Sequence, residues 1–228
     1  MLELKKINLS TGNQLVLTDI CVTFEKGKIY GLLGPNGSGK TTLFKTILEL
    51  TKYTGEIHSL DTEKYGMLIE YPGFYENLTI IENMKLHAKY LHVKDSESIK
   101  EILEKIDLWE KKDKKISQLS LGMKQKLGIA RAFLGHPTVV LLDEPTNGLD
   151  PIAIKEIRKL IRNSLINKDN CIVISSHNLS EMTAMADELI FIKDGKIVKS
   201  MKNEGLDGEK LEEIYEEVIR GGNNEKFN

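Results

Sequence analysis

Residues Gly34 to Thr42 read GPNGSGKTT and match the phosphate-binding pattern G-x-x-x-x-G-K-[ST] through Gly34, Gly39, Lys40 and Thr41. The residue types suit one task. Gly34, Gly37 and Gly39 let backbone N–H groups close around phosphate oxygens with no Cβ in the way, and Pro35, Asn36, Ser38 and Thr42 complete the loop. Lys40 is placed to reach the β- and γ-phosphates, and the Thr41 hydroxyl to hold Mg²⁺. A second group of acids, Asp143 and Glu144, closes the apolar run VVLL. Asp143 is suited to hold the same Mg²⁺, directly or through water. Glu144, one residue on, points elsewhere and is free to orient or deprotonate an attacking water. The bland alternatives are a glycine-rich turn that binds nothing and two solvated acids at a strand end.

The flanking elements decide between these readings. Lys28 to Leu33 (KIYGLL) reads as a short buried strand, and TLFKTILEL after the loop as a helix whose N-terminal dipole adds to the anion site. Thr138 to Leu142 is an unbroken apolar run of the kind buried on both faces of a parallel sheet, and Cys171 to Ser175 is another. Carboxylates at the C-terminal end of such a strand lie where open α/β sheets place ligand chemistry.

Around this frame, Leu2 to Leu9 and Asp19 to Phe24 read as strands, as do Glu56 to Ser59 and Tyr65 to Ile69. Thr79-Ile80-Ile81-Glu82 and Ser98-Ile99-Lys100-Glu101 are capping-box patterns, and residues 76–135 contain no convincing strand. Asp150-Pro151 caps a helix with the buried stripe Ile154, Ile157, Ile161 and Leu165. Glu188 to Ser200 is a hairpin turning at Asp194-Gly195. Leu206 to Arg220 is a charged helix, and the last residues, GGNNEKFN, read as frayed.

A chain of 228 residues with 40% hydrophobic and 29% charged residues is built like an ordinary globular protein. Its net charge of −2 gives no electrostatic footprint for nucleic acid, and none is expected as a partner. Lys111 to Lys115, the one basic cluster, reads as a solvated surface. Cys21 and Cys171 lie in apolar runs without C-x-x-C spacing and read as buried thiols in a reducing cytosol. No window approaches 18 uncharged apolar residues, so the chain is not expected to cross a membrane itself.

Between the phosphate loop and the paired acids stands Leu119-Ser120-Leu121-Gly122-Met123-Lys124-Gln125. With it, the chain resembles the ATP-binding subunits of ABC transporters. The markers stand in order: the phosphate loop, a loop at Glu70, the signature LSLGMKQ, the paired acids, Asn147-Gly148-Leu149-Asp150, and His177 in ISSHNLSE. The resemblance implies a P-loop ATPase core of α/β type with an N-terminal antiparallel β portion and an inserted helical subdomain. The core would span about 1–75 and 136–200, the helical part about 76–135, and a C-terminal helix and tail about 201–228.

It further implies ATP and Mg²⁺ as cofactors, with Thr41, Asp143 and Glu70 near the metal. Glu144 would be the general base and His177 the γ-phosphate switch residue. Two copies would pair head to tail, so that Ser120, Leu121, Gly122 and Met123 of one face the nucleotide of the other, with Asp150 in the contact. The partner would be a transmembrane permease, which places the chain in the cytoplasm, peripheral on the inner face of the membrane.

Three departures from the family pattern stand out. Leu121 occupies a common glycine position, so the correspondence is tight at Ser120 and Gly122 and looser from Met123 on. Glu70 stands where most members carry glutamine. The adenine-stacking aromatic, whose position falls near Thr11, is missing, and no aromatic occurs before Phe24. LIEYPGFYENLT together with SLGMKQ is most similar to the subgroup serving bacitracin export and lantibiotic self-immunity. The competing functions are a non-transport ABC ATPase acting on ribosomes or DNA and a small-molecule P-loop kinase. The former usually has two cores or a coiled-coil insert, and the latter has no use for a signature.

Overall fold

The computed structural model describes residues 1–12, 14–59, 64–93 and 96–220; the tail read as frayed lies outside them. The strands are β1 (Leu2–Thr11), β2 (Gln14–Phe24), β3 (Ile29–Leu33), β4 (Thr54–His58), β5 (Tyr65–Leu68), β6 (Val139–Asp143), β7 (Cys171–Ser176), β8 (Glu188–Lys193) and β9 (Lys196–Lys202). The helices are α1 (Lys40–Ile47), α2 (Ile80–Tyr90), α3 (Ser96–Lys105), α4 (Leu121–Phe133), α5 (Pro151–Leu160), α6 (Leu179–Met185) and α7 (Gly208–Arg220).

Two sheets form. The larger has the order β5-β6-β7-β3-β8-β9, parallel except for its antiparallel edge pair β8–β9. The smaller is antiparallel, β2-β1-β4. Period-2 alternation along the parallel strands explains the layering. Tyr30, Leu32, Val139, Leu141, Cys171, Val173, Ile190 and Ile192 point to one face, where Leu43, Phe44 and Ile47 of α1 and the inner face of the small sheet cover them. Leu33, Val140, Leu142, Ile172, Ile174 and Phe191 point to the other, under the remaining helices. Full burial of each such side chain contributes about 1.5–3 kcal/mol, and only residues apolar on both faces satisfy a strand in this position. Helix α1 is therefore clamped between the sheets, and the loop before it cannot drift.

The structure departs from the sequence expectations in several places. The second strand is longer than Asp19–Phe24, because β1 and β2 pair from Leu2↔Phe24 to Thr11↔Gln14. Register shifts along this ladder, with Lys6 and Asp19 at φ near 50°, break the alternation that would have revealed it. Cys21 is exposed, not buried: its neighbour Ile20 takes the inward position, and Cys21 Sγ accepts a hydrogen bond from the Lys6 amide at 3.3 Å. The capping box at Thr79 forms with Glu82, but the one at Ser98 does not, since α3 already begins at Ser96. The stripe on α5 holds at Ile157, Ile161 and Leu165, with Ile154 half-buried and Leu160 added. Its final turn, Ile161–Leu165, widens to π-helix. The β8–β9 turn places Asp194 and Gly195 both at positive φ, as a type I′ turn requires.

Helix α4 presses on β5 at Gly66, where a Cβ would stand 1.9 Å from the Ala132 carbonyl oxygen. Backbone cannot retreat as a side chain can. Gly66→Ala is expected to cost about 3 kcal/mol, the upper end of ordinary overpacking, and to lower the thermal midpoint by about 5–10 °C. A circular-dichroism melt superimposable on that of the unchanged protein would contradict this packing.

Candidate functional site

The loop of residues 34–39 joins β3 to α1, and each of its constraints is visible. A Cβ on Gly34 would stand 2.2 Å from the Ile192 carbonyl oxygen, so the chain passes there only as glycine. Gly37 and Gly39 take φ of 80° and 107°, left-handed conformations that glycine adopts without strain and that suit a short loop wrapping an anion. The Ser38 amide bonds the Pro35 carbonyl, and the Ser38 carbonyl accepts from Gly195 in the β8–β9 turn, which braces the loop from behind. Ser38 Oγ is buried and has no hydrogen-bond partner, an acceptor-and-donor group suited to a phosphate oxygen.

Lys40 opens α1 and is only 7% exposed. Its Nζ donates to the carbonyls of Gly34 at 2.7 Å and Pro35 at 3.2 Å and lies 3.9 Å from Glu144. Burial holds its pKa below the usual lysine value, and the nearby carboxylates of Glu144 and Asp143 oppose that shift only partly. One residue on, Thr41 Oγ1 donates to Asp143 Oδ2 at 2.6 Å. These two residues are 102 positions apart, and α1 and β6 bring them together. A hydroxyl and a buried carboxylate at this distance form an all-oxygen donor set that fits Mg²⁺. The buried orphan at Ser38, the blocked Cβ at Gly34 and this donor pair together fit a magnesium–triphosphate group.

Asp143 and Glu144 part company at the end of β6. Asp143 stays in the strand and also accepts a short hydrogen bond from Ser175 Oγ. Glu144 adopts φ 47°, a left-handed conformation uncommon for a non-glycine residue, and its amide donates to Ser175 Oγ at 3.0 Å. The turn swings the Glu144 side chain away from Thr41 and toward His177, whose Nδ1 lies 2.7 Å from Glu144 Oε2. His177 follows β7 directly and is 56% exposed, so the pair faces the open side of the site. From sequence, Ser175 stands only as the end of the strand Cys171 to Ser175, and neither it nor Ser176 is given a role; the signal for one was the polar end of the apolar run CIVISS, paired in the sheet with the end of VVLLD.

The other predicted residues lie on two further surfaces. Ser120 caps α4, its Oγ accepting from the Met123 amide, and Asp150 caps α5, accepting from Ile152 and Ala153 at 2.9 and 3.0 Å. Ser120, Gly122, Met123 and Asp150 line one shallow surface depression, which places two helix N-termini side by side. Leu121, at 41% exposure, stands open to solvent beside them. Glu70, at φ 62°, is not within the Thr41–Asp143 pair; it makes an exposed ion pair with Lys45 at 3.1 Å. Its loop is fastened to α4 farther along. Arg131 donates to the Gly73 carbonyl at 2.6 Å and stacks 4.5 Å from the Phe74 ring, while Lys124 pairs with both oxygens of Glu76. Burial lowers the Arg131 pKa, and burial together with the adjacent Arg131 lowers that of His87. Lys45, Leu50, Met67, Tyr71, His87 and Arg131 line an open groove beside this loop.

The scaffold and the site define a nucleoside-triphosphate-binding protein of the phosphate-loop class. The chain belongs to the ABC transporter family, as an ATP-binding ATPase subunit: the family's pattern, described as "ABC transporter", matches residues 17–147. It is 39% identical over 227 residues to the lantibiotic transport ATP-binding protein SrtF of Streptococcus pyogenes, covering 96% of this chain and 97% of that one. It is 41% identical over 201 residues to the bacitracin transport ATP-binding protein BcrA of Bacillus licheniformis, covering 83% of this chain and 66% of that one. Among solved structures, an ATP-binding subunit of an ABC transporter superposes with a TM-score of 0.81 at 26% identity, over 94% of this chain and 99% of that one. The dimeric cassette MJ0796 in a post-hydrolysis state with ADP and Pi superposes at 0.76 and 25% identity, over 90% of this chain and all of that one.

Proposed function

We propose that this chain hydrolyses Mg-ATP to drive a separate transmembrane permease that exports, or confers immunity to, a peptide antibiotic of the bacitracin or lantibiotic kind. The observation that carries the catalytic part is the division of labour at the end of β6, with Asp143 turned to Thr41 and Glu144 to His177. The loop amides and Lys40 bind the phosphates of ATP. Thr41 and Asp143 would hold Mg²⁺, which when bound neutralises phosphate charge. Glu144 takes a proton from the attacking water as its oxygen bonds to the γ-phosphorus and the bond to ADP breaks. His177, with Nδ1 engaged by Glu144, keeps Nε2 for the γ-phosphate.

Two copies paired head to tail would set the Ser120 hydroxyl and the α4 N-terminus of one against the phosphates of the other. Among the described residues no helix is long and apolar enough to cross a membrane, which fits a subunit acting through a partner. The groove beside Glu70 suits that partner: it exposes Leu50, Met67 and Tyr71 and connects through Arg131 to the helix that begins with the signature. The cargo class rests on the likeness to SrtF and BcrA.

Cells producing the chain with its permease should gain resistance to bacitracin or a lantibiotic, and Glu70→Gln should separate coupling from hydrolysis. The Glu70–Lys45 pair is solvent-exposed and worth about 0–1 kcal/mol, so the isolated ATPase should change only several-fold. Resistance should fall much further. Loss of hydrolysis in the isolated Glu70→Gln chain as complete as in Glu144→Gln would put Glu70 in the chemistry instead of the coupling.

A further inference from the structure

Glu181 is a carboxylate that the hydrolysis scheme does not use, yet it is 6% exposed. It lies in the first turn of α6, and its partners are two neutral donors. Oε2 accepts from Thr146 Oγ1 at 2.5 Å, and Oε1 accepts from Asn178 Nδ2 at 2.8 Å. Burying an ion on neutral hydrogen bonds is costly, whereas an apolar residue would suit a helix whose next residue, Met182, is fully buried. The placement of the two donors suggests what the cost secures. Thr146 stands two residues after Glu144, and Asn178 one residue after His177. One carboxylate thus bridges the two loops that carry the Glu144–His177 pair.

The bridge is rigidly backed. The neighbouring Met182 packs on β3 so closely that a Cβ on Gly31 would stand 3.1 Å from its sulfur. Asn178 is held at its other end too: its amide N–H donates to Ser176 Oγ at 2.9 Å, and its Oδ1 accepts from Ser180 Oγ at 2.9 Å and from the Glu181 amide at 3.3 Å.

We propose that Glu181 is a positioning residue for hydrolysis, setting the distance between Glu144 and His177 by tying Thr146 to Asn178. The proposal rests on the reading of Glu144 as general base. It concerns the chemical step and leaves nucleotide binding to the phosphate loop. Misplacing a reacting group by about 1 Å costs on the order of 10²-fold.

The test is steady-state ATPase kinetics on Thr146→Val, Thr146→Ser, Glu181→Met and, alongside, Glu144→Gln. Thr146→Val keeps the volume and removes the hydroxyl. It should lower kcat about tenfold or more, with KM for ATP and the thermal midpoint nearly unchanged. Thr146→Ser, which restores the donor, should return kcat to within about threefold of the starting protein. Glu181→Met keeps the length of the side chain, removes both acceptor oxygens and should act as Thr146→Val does; it also serves if the valine variant does not fold. The proposal is overturned if kcat stays within twofold in Glu181→Met, if serine is as damaging as valine, or if KM rises while kcat holds. If Glu144→Gln retains full activity, the general-base reading fails and this inference falls with it. If Glu144→Gln is inactive while Glu181→Met is normal, the bridge alone is wrong.

Discussion

Glu144→Gln is expected to lower ATP hydrolysis by about 10² or more, within the range for a lost general base. The substitution keeps the shape and the hydrogen bond to His177 Nδ1 but removes the basicity that accepts the water proton. It removes the charge 3.9 Å from Lys40 Nζ but leaves that group's bonds to the Gly34 and Pro35 carbonyls, Ser38 and the Thr41–Asp143 pair in place, so ATP still binds. With hydrolysis blocked, the expected resting state is two chains held together by ATP. Phosphate release assays and light scattering in Mg-ATP read the two effects separately. An ATPase rate near that of the unchanged protein would remove Glu144 from the proton transfer.

Lys40→Met is expected to weaken nucleotide binding by about 10- to 150-fold without weakening the fold. The ammonium is buried, and burial holds its pKa down, which means that the charged form is penalised in the folded protein. Methionine fills the same space with no charge to desolvate. What is lost is a charged donor to phosphate, worth about 1.5–3 kcal/mol, or roughly 10- to 150-fold in affinity for that contact alone. Hydrolysis falls further, because the same ammonium faces the charge that develops toward the leaving β-phosphate oxygen in the transition state. A titration with fluorescent ATP analogue and a thermal melt distinguish the cases. If the midpoint drops by more than about 5 °C, Lys40 holds the loop together through the Gly34 and Pro35 carbonyls, and its role in binding is secondary.

Residues whose requirements are local are legible in the amino-acid sequence. The phosphate loop needs glycines and a lysine at set offsets from one another, since a single turn of backbone must wrap a phosphate. The same holds for the Asp150 cap, the Thr79–Glu82 box and the Asp194-Gly195 turn, all satisfied within a few residues. The α/β class follows from apolar runs whose two faces must both be covered. The local rule fails where alternation is interrupted by bulges, at β2 and Cys21, and where a serine inside a helix imitates a cap, at Ser98.

Tertiary structure alone decides how the chemistry-bearing groups meet. Thr41 reaches Asp143, Glu144 reaches His177, and Glu181 reaches Thr146 across separations of 102, 33 and 35 residues. Those contacts depend on β7 lying between β6 and β3, an order that no single strand's composition encodes. The positive φ at Glu144 is likewise a product of the assembly, imposed where β6 ends against Ser175 and offset by hydrogen bonds from its amide. Residue types and their spacing identify a phosphate site and a family. Which carboxylate faces Thr41, which faces the histidine, and what holds the two apart are settled by the order of the strands.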